Sequence, residues 1–413
     1  MARAKKFVSA STLSKEKVKE VLLKKIHEEQ KKIPEDPVDI ECLENTHLEK
    51  GKANVVSLFS GAGGLDLGLE LAGIDAVKGR EFTDSILKDK DTYFKERNNS
   101  IFHISYSNDN FKEANETYSS MFPSDVVKND KDIRKVSTFP AGQIMLGGFP
   151  CPGFSAAGPR LIDDPRNFLY VHYIRALMET QPAFFVGENV KGLLTLAKGE
   201  VFKQLVEDFS SAGYKVKAYL INSRDYGVPQ LRERVILVGM NLKKVKEQYD
   251  WDYELPEPTN GEPDNLLVEP FVTLKDAIGD LPENPDDVFE GSFSTMYMSR
   301  NRKKKWNEQS FTIQASGRQA PLWPGGEPMV KLGKDKWKFQ GKVNRRLSVK
   351  EIARIQTFPD WYEFAGSSTS KTKNGYLDKK YKQIGNAVPV EMARKVLAPI
   401  ADFFVKHPEM LQK

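Results

Sequence analysis

Cys151 and Glu188 each combine a reactive side chain with a setting that could use it. Cys151 lies in Gly147-Gly-Phe-Pro-Cys-Pro-Gly-Phe-Ser-Ala-Ala-Gly158. A lone cysteine is commonly a small buried hydrophobe. A Pro- and Gly-rich loop is a poor place for one, which favours a nucleophile activated by a positive group or a helix N-terminus. Glu188 follows 37 residues later, a spacing that fits one strand–helix–strand unit. The two would then stand side by side at one sheet edge, a nucleophile with a general acid. Arg232 and Arg234, in Gln230-Leu-Arg-Glu-Arg234, project the same way from an extended chain. They could hold a carbonyl oxygen or phosphates, or be surface arginines.

A second group suits a small ligand. Phe59-Ser-Gly-Ala-Gly-Gly64 lets backbone approach a ligand at a helix N-terminus. Neither Gly-x-Gly-x-x-Gly nor Gly-Lys-Ser/Thr is present, so a phosphate cradle is the less natural reading. Asp109 stands where a carboxylate would take ribose hydroxyls, and Asp132 could take an adenine amino group. Surface-loop carboxylates are the alternative for both. The two cysteines, Cys42 and Cys151, and five scattered histidines show no metal-ligand spacing.

The elements that must position these groups alternate. Strands are predicted over 54–59, 101–106, 144–149, 183–187 and 235–240, and helices up to Leu71 and over 168–178, 201–212, 348–357 and 391–404. Residues 74–101 read as an inserted loop with a helix. Alternation of this kind predicts a parallel sheet covered on both faces, with ligands at the carboxyl ends of the strands. Residues 14–32 form a charged helix with an apolar stripe at Val18, Val21, Leu22 and Ile26, broken by Pro34 and Pro37.

The net charge of +5 conceals an asymmetry. Residues 249–290 carry 13 acidic side chains against one lysine, whereas residues 291–346 carry 13 basic against three acidic. Such a basic block suggests an anionic partner such as nucleic acid, or a solvated face. No stretch is apolar enough to span a membrane and no secretory leader is evident, so a cytoplasmic location is expected.

Phe-Ser-Gly-Ala-Gly-Gly, Pro-Cys, Glu-Asn-Val, Gln-x-Arg-x-Arg and Gly385-Asn-Ala-Val-Pro389 occur in that order. Together, across residues 54–400, they resemble the ordered motifs of DNA (cytosine-5) methyltransferases. The resemblance implies an α/β, Rossmann-like methyltransferase fold, S-adenosylmethionine as cofactor and double-stranded DNA with a flipped cytosine as substrate. Cys151 would attack cytosine C6, and a protonated Glu188 would bond to N3. Arg234 would hold O2 with Arg232 nearby, and Asn189 would shape the pocket. The cofactor would lie against Phe59, Gly61 and Gly63, with Asp109 on its ribose and Asp132 and Ile133 on its adenine. Pro150, Leu169, Asn386 and Ala387 would complete that site, and residues 152–168 would form a lid. Pro152 departs from the family, many of whose members have Gln there. Proline offers no amide donor in its place.

Met298-Ser-Arg-Asn-Arg302, Trp306-Asn-Glu and Phe311-Thr-Ile-Gln-Ala-Ser-Gly-Arg-Gln319 resemble the target-recognition part of a restriction–modification subgroup acting on GGCC, GGNCC or GGWCC. Arg300, Arg302 and Arg318, with Gln319, match positions that read guanines, arginine being the commonest guanine reader. Lys303, Lys304 and Lys305 would meet phosphates. The Cys151 loop looks more like that of interrupted-site members, so GGNCC or GGWCC is expected over GGCC. The expected division is a helical extension at 1–53, a catalytic domain at 54–245 with 383–413, and a smaller, mostly β recognition domain at 246–382. A monomer is expected, whose cognate endonuclease acts on the same site without forming a complex. An RNA cytosine methyltransferase and a catalytically inactive DNA-binding regulator would share many of these features.

Overall fold

The computed structural model describes residues 14–150 and 169–412. Cys151, Pro152 and the expected lid at 152–168 lie outside them. The helices are α1 (Lys15–Gln30), α2 (Pro37–Asn45), α3 (Gly64–Lys78), α4 (Arg80–Ile86), α5 (Lys90–Glu96), α6 (Lys112–Met121), α7 (Leu169–Thr180), α8 (Glu200–Ser211), α9 (Glu247–Tyr249), α10 (Leu274–Ile278), α11 (Val349–Ile355), α12 (Lys373–Asn386) and α13 (Val390–Lys406). The strands are β1 (Ala53–Leu58), β2 (Phe102–Asn108), β3 (Val127–Asn129), β4 (Ile144–Gly147), β5 (Phe184–Val190), β6 (Tyr214–Asn222), β7 (Gln230–Leu231), β8 (Glu233–Asn241), β9 (Asn260–Gly261), β10 (Glu269–Pro270), β11 (Ser310–Phe311), β12 (Val330–Gly333) and β13 (Lys336–Lys338).

A seven-stranded sheet with order β3-β2-β1-β4-β5-β8-β6 forms the centre. β8 runs antiparallel to both β5 and β6, whereas the other pairings are parallel. The all-parallel expectation is therefore corrected by β8, and β6 is not among the predicted strands. The central strands are apolar because both faces are covered. Along β1, Ala53 and Val55 face one core with α3 and α13, while Val56 and Leu58 face the other with α7 and α8. α3 and α13 pack closely, for a Cβ on Gly68 would lie 2.4 Å from that of Ala393. The order reverses between β1 and β4, which opens a crevice at their carboxyl ends.

The amino-terminal extension is helical and docked. Leu22 and Ile26 of α1 are buried in the core that holds α7 and α8. The expected loop at 74–101 is largely helical instead: α3 runs on to Lys78, and α4 and α5 follow. Residues 246–382 hold regular β structure only in short pieces. Their strands are two to four residues long and share the segment with α10, α11 and part of α12. Pro, Gly and paired acidic residues interrupt any longer alternation there. α12 itself crosses position 383, so no linker marks that boundary.

Candidate active site

A cavity of about 500 Å³ occupies the crevice. Its walls include Phe59, Gly61, Asp109, Asp132, Ile133, Pro150, Leu169, Glu188, Asn189, Arg232, Arg234, Asn386 and Ala387. Residues far apart in sequence thus meet because β1, β2, β4 and β5 end together and α12 closes over them.

The glycine turn is built on left-handed backbone. Phe59 has φ 55° and Gly61 φ 54°, a conformation that costs a non-glycine residue about 1–3 kcal/mol. Asp109 holds the turn: its carboxylate accepts from Gly61 N at 2.9 Å and from Phe111 N at 2.8 Å. Burial pushes its pKa up even so. Gly63 does not line the cavity. Its φ is +77°, and a Cβ there would come within 2.3 Å of the Phe122 ring, so it serves the turn and its packing. Asp132 accepts from Arg134 Nε at 2.9 Å, and that guanidinium holds its carboxyl below the usual range.

Two cavity groups were not singled out from sequence. Asp66, in the first turn of α3, is buried and accepts from the Tyr118 hydroxyl at 3.0 Å. Its Oδ2 has no partner, and burial pushes its pKa up to about 6. Ser60 Oγ is likewise buried and unpartnered. An acidic residue opening a helix is so common that only its neighbours distinguish Asp66. Lining this crevice, Ser60 and Asp66 offer polar atoms to a ligand bearing an amino acid group, beside the apolar Phe59 and Ile133. The residues present therefore fit a nucleoside joined to an amino acid.

At the other end, Glu188 Oε1 lies 2.7 Å from Arg234 Nε. β5 and β8 are antiparallel neighbours, with Val190 opposite Arg234. That register brings the two side chains together from opposite chain directions. Asn189 Nδ2 donates to the Phe149 carbonyl at 3.0 Å. Arg232 does different work from Arg234. It is fully buried and donates to the carbonyls of Ile313, Gly385 and Ala387 at 3.3, 3.0 and 3.0 Å. It therefore ties the residue between β7 and β8 to Ile313 and to the Asn386–Ala387 wall.

The basic segment divides. Arg300, Lys305 and Arg318 are exposed. Arg302 is buried over the Tyr297 ring and donates to Tyr297 O at 3.2 Å and to Gln319 Oε1 at 2.8 Å. Lys303 is buried with Nζ 3.0 Å from the Glu327 and Val343 carbonyls. Lys304 pairs with Glu308 at 2.9 Å. Arg302 and Lys303, expected at a base and a phosphate, are both bonded to internal acceptors in this structure.

The family profile described as C-5 cytosine-specific DNA methylase matches residues 53–402. The type II methyltransferase M.BsuRI of Bacillus subtilis is 57% identical over 407 residues, 98% of this chain and 92% of its own length. M.BspRI of Lysinibacillus sphaericus is 56% identical over 401 residues, 96% of this chain and 93% of its own length. Among solved structures, the S. pombe Dnmt2 methyltransferase shares the fold with a TM-score of 0.54 at 17% identity, covering 84% of this chain and 99% of that one. Fold, ordered motifs and matched relatives agree, and the chain belongs to the C-5 cytosine-specific DNA methylase family, enzymes that methylate cytosine in DNA.

Proposed function

We propose that the chain is a type II modification enzyme that methylates C5 of a cytosine flipped out of duplex DNA, with S-adenosylmethionine as cofactor. The observation that carries the reading is the Glu188–Arg234 pair at 2.7 Å in the crevice. N3 and O2 lie on one edge of cytosine. A carboxyl group and a guanidinium side by side can bond to both at once. Extruding the base costs a few kcal/mol, which this edge recognition helps offset.

When bound, S-adenosylmethionine supplies an electrophilic methyl group. Phe59, Gly61, Asp109, Asp132, Ile133, Pro150, Leu169, Asn386 and Ala387 would hold it. Cys151 Sγ would bond to C6, which makes C5 nucleophilic, while Glu188 bonds to N3 and Arg234 to O2. After C5 is methylated, loss of the C5 proton and cleavage of the S–C6 bond restore the aromatic ring and the thiolate. Asn189 would act on this step through Phe149, two residues ahead of Cys151.

Arg300 and Arg318 are the proposed guanine readers, with Gln319 held by Arg302. Lys305 and the lysines of the β12–β13 hairpin are the proposed phosphate contacts. Lys331, Lys334, Lys336 and Lys338 are all exposed there. The hairpin is joined to the recognition segment through Phe339 on Phe293, 4.7 Å between ring centres. The proposed site is GGNCC or GGWCC in preference to GGCC, from the resemblance of the Cys151 loop.

The test is transfer of labelled methyl groups to GGCC, GGACC, GGGCC and scrambled duplexes and to tRNA, with Cys151→Ala as control. Label on GGACC and GGGCC that is lost in the variant supports GGNCC, and GGACC alone supports GGWCC. Label on GGCC and GGGCC but not on GGACC replaces the interrupted site with the continuous one, because GGGCC contains GGCC. Label on tRNA and on no duplex overturns the substrate. Gel filtration reports whether the active species is a monomer. A matching endonuclease activity in the source cells supports the restriction–modification role, and its absence counts against it.

A further inference from the structure

We infer that Asp39, in the amino-terminal extension, is a positioning residue for the adenine-side wall of the cofactor cavity. The family match begins at residue 53, so Asp39 lies outside the catalytic unit the family defines. It nonetheless sits in α2 at 1% exposure. Its two carboxylate oxygens reach opposite ends of one loop. Oδ1 accepts from Asn129 Nδ2 at 3.0 Å and from Lys131 Nζ at 2.9 Å. Oδ2 accepts from Ser137 N at 2.7 Å and Ser137 Oγ at 2.9 Å. One side chain thereby closes residues 129–137 into a ring.

The residues inside that ring include Lys131, Asp132, Ile133 and Arg134, all of which line the cavity. The ring is also held from the sheet and from below. Asn108 Nδ2 donates to the carbonyls of Asn129 and Lys131 at 2.9 Å each. Arg175 of α7 donates to those of Ile133 and Val136 at 3.3 and 2.7 Å. Those two clamps take carbonyls, whereas Asp39 takes N–H and O–H donors. Asp36 also accepts from Lys131 Nζ, but Asp39 alone of the two bonds to Asn129 and Ser137 as well, and a buried carboxylate with four donors is a rigid tie. Burial works against its charge, but the Ser137, Lys131 and Asn129 bonds hold its carboxyl below the usual range.

The inference rests on the assignment of Asp132 and Ile133 to the cofactor. It is tested on the full chain by direct calorimetric binding of S-adenosylmethionine without DNA. Asp39→Ala is expected to weaken cofactor binding roughly tenfold, from loss of charge-assisted bonds. Duplex affinity and kcat at saturating cofactor should change less than about twofold. Asp39→Asn should fall between. Leu22→Ala, which removes extension packing and leaves the Asp39 hydrogen bonds in place, should lower thermal stability and leave cofactor affinity unchanged. Equal loss of affinity in Leu22→Ala at equal loss of stability would overturn the inference, as would an Asp39→Ala chain that binds cofactor normally. Ile133→Ala separates the two levels. If it weakens binding while Asp39→Ala does not, the clamp alone fails. If neither matters, the assignment of the wall fails with it.

Discussion

The Asn189 side-chain amide donates to the Phe149 carbonyl at 3.0 Å, joining the residue after Glu188 to the strand exit that leads to Cys151. This bond links β5, which carries the proposed base-binding Glu188, to the proposed nucleophile loop. Asn189→Ala should therefore lower the single-turnover methylation rate about 10- to 100-fold, because positioning is lost and no reacting group is removed. Cofactor affinity should hold. An unchanged rate would show that the loop is fixed elsewhere.

Glu188→Gln keeps the shape of the carboxyl and removes its ability to give a proton to N3. Activity is expected to fall by roughly 10²–10⁴. Trapping on 5-fluorocytosine duplex should slow in parallel, since attack at C6 is the step assisted. Trapping at the wild-type rate would remove Glu188 from that step.

Arg300 and Arg302 should behave oppositely. Arg300 is exposed, so Arg300→Ala should cost about 1–3 kcal/mol of discrimination at one base pair with the fold intact. Arg302→Ala leaves the Tyr297 carbonyl and Gln319 amide oxygen without their donor. Its main effect should be a loss of roughly 1–3 kcal/mol in urea unfolding. A specificity change in Arg302→Ala without destabilisation would restore it as a base reader.

The hairpin lysines predict a salt effect. Removing one lysine that neutralises a phosphate should flatten the dependence of log affinity on log salt by about 0.9. Replacing Lys334, Lys336 and Lys338 by alanine should reduce the slope by about 2–3, leaving sequence preference and cofactor binding unaltered. A wild-type slope would place the hairpin away from DNA.

Asp66 sets a pH dependence of stability. Burial raises its pKa from 3.8 to about 6. The folded value exceeds the unfolded one, so the linked stability is full below 3.8 and is lost as pH rises through about 6. The cost above that point is on the order of 3 kcal/mol. Asp66→Asn should gain stability over the wild type between pH 5 and pH 8, followed by urea unfolding. A constant difference across that range would mean that Asp66 does not titrate there.

The central strands were legible because a strand covered on both faces carries a run of apolar residues, as Val55-Val56, Ile144–Leu146 and Phe184–Val186 do. β6 lies at the sheet edge, and its alternation of Tyr214 and Val216 with Lys215 and Lys217 is a strand signal the reading did not use. The reversal of β8 has no periodic signature, since strand direction leaves none. At the site, Glu188, Arg234 and the glycine turn could be placed from order and spacing. The split between exposed Arg300 and buried Arg302 could not, because adjacent cations read alike until their acceptors are known. Asp39 was invisible for the same reason: its partners are some 90 residues away.

The cavity joins the turn after β1 to Asn386 and Ala387 at the end of α12, and a Cβ on Gly64 would lie 2.4 Å from the Val388 carbonyl. Protein synthesis runs from the amino terminus. A growing chain therefore exposes its glycine turn long before the wall that completes the cavity leaves the ribosome. Products of stalled translation or premature stop codons short of α13 should be inert toward DNA, so methylation begins only with chains translated through both halves of the pocket.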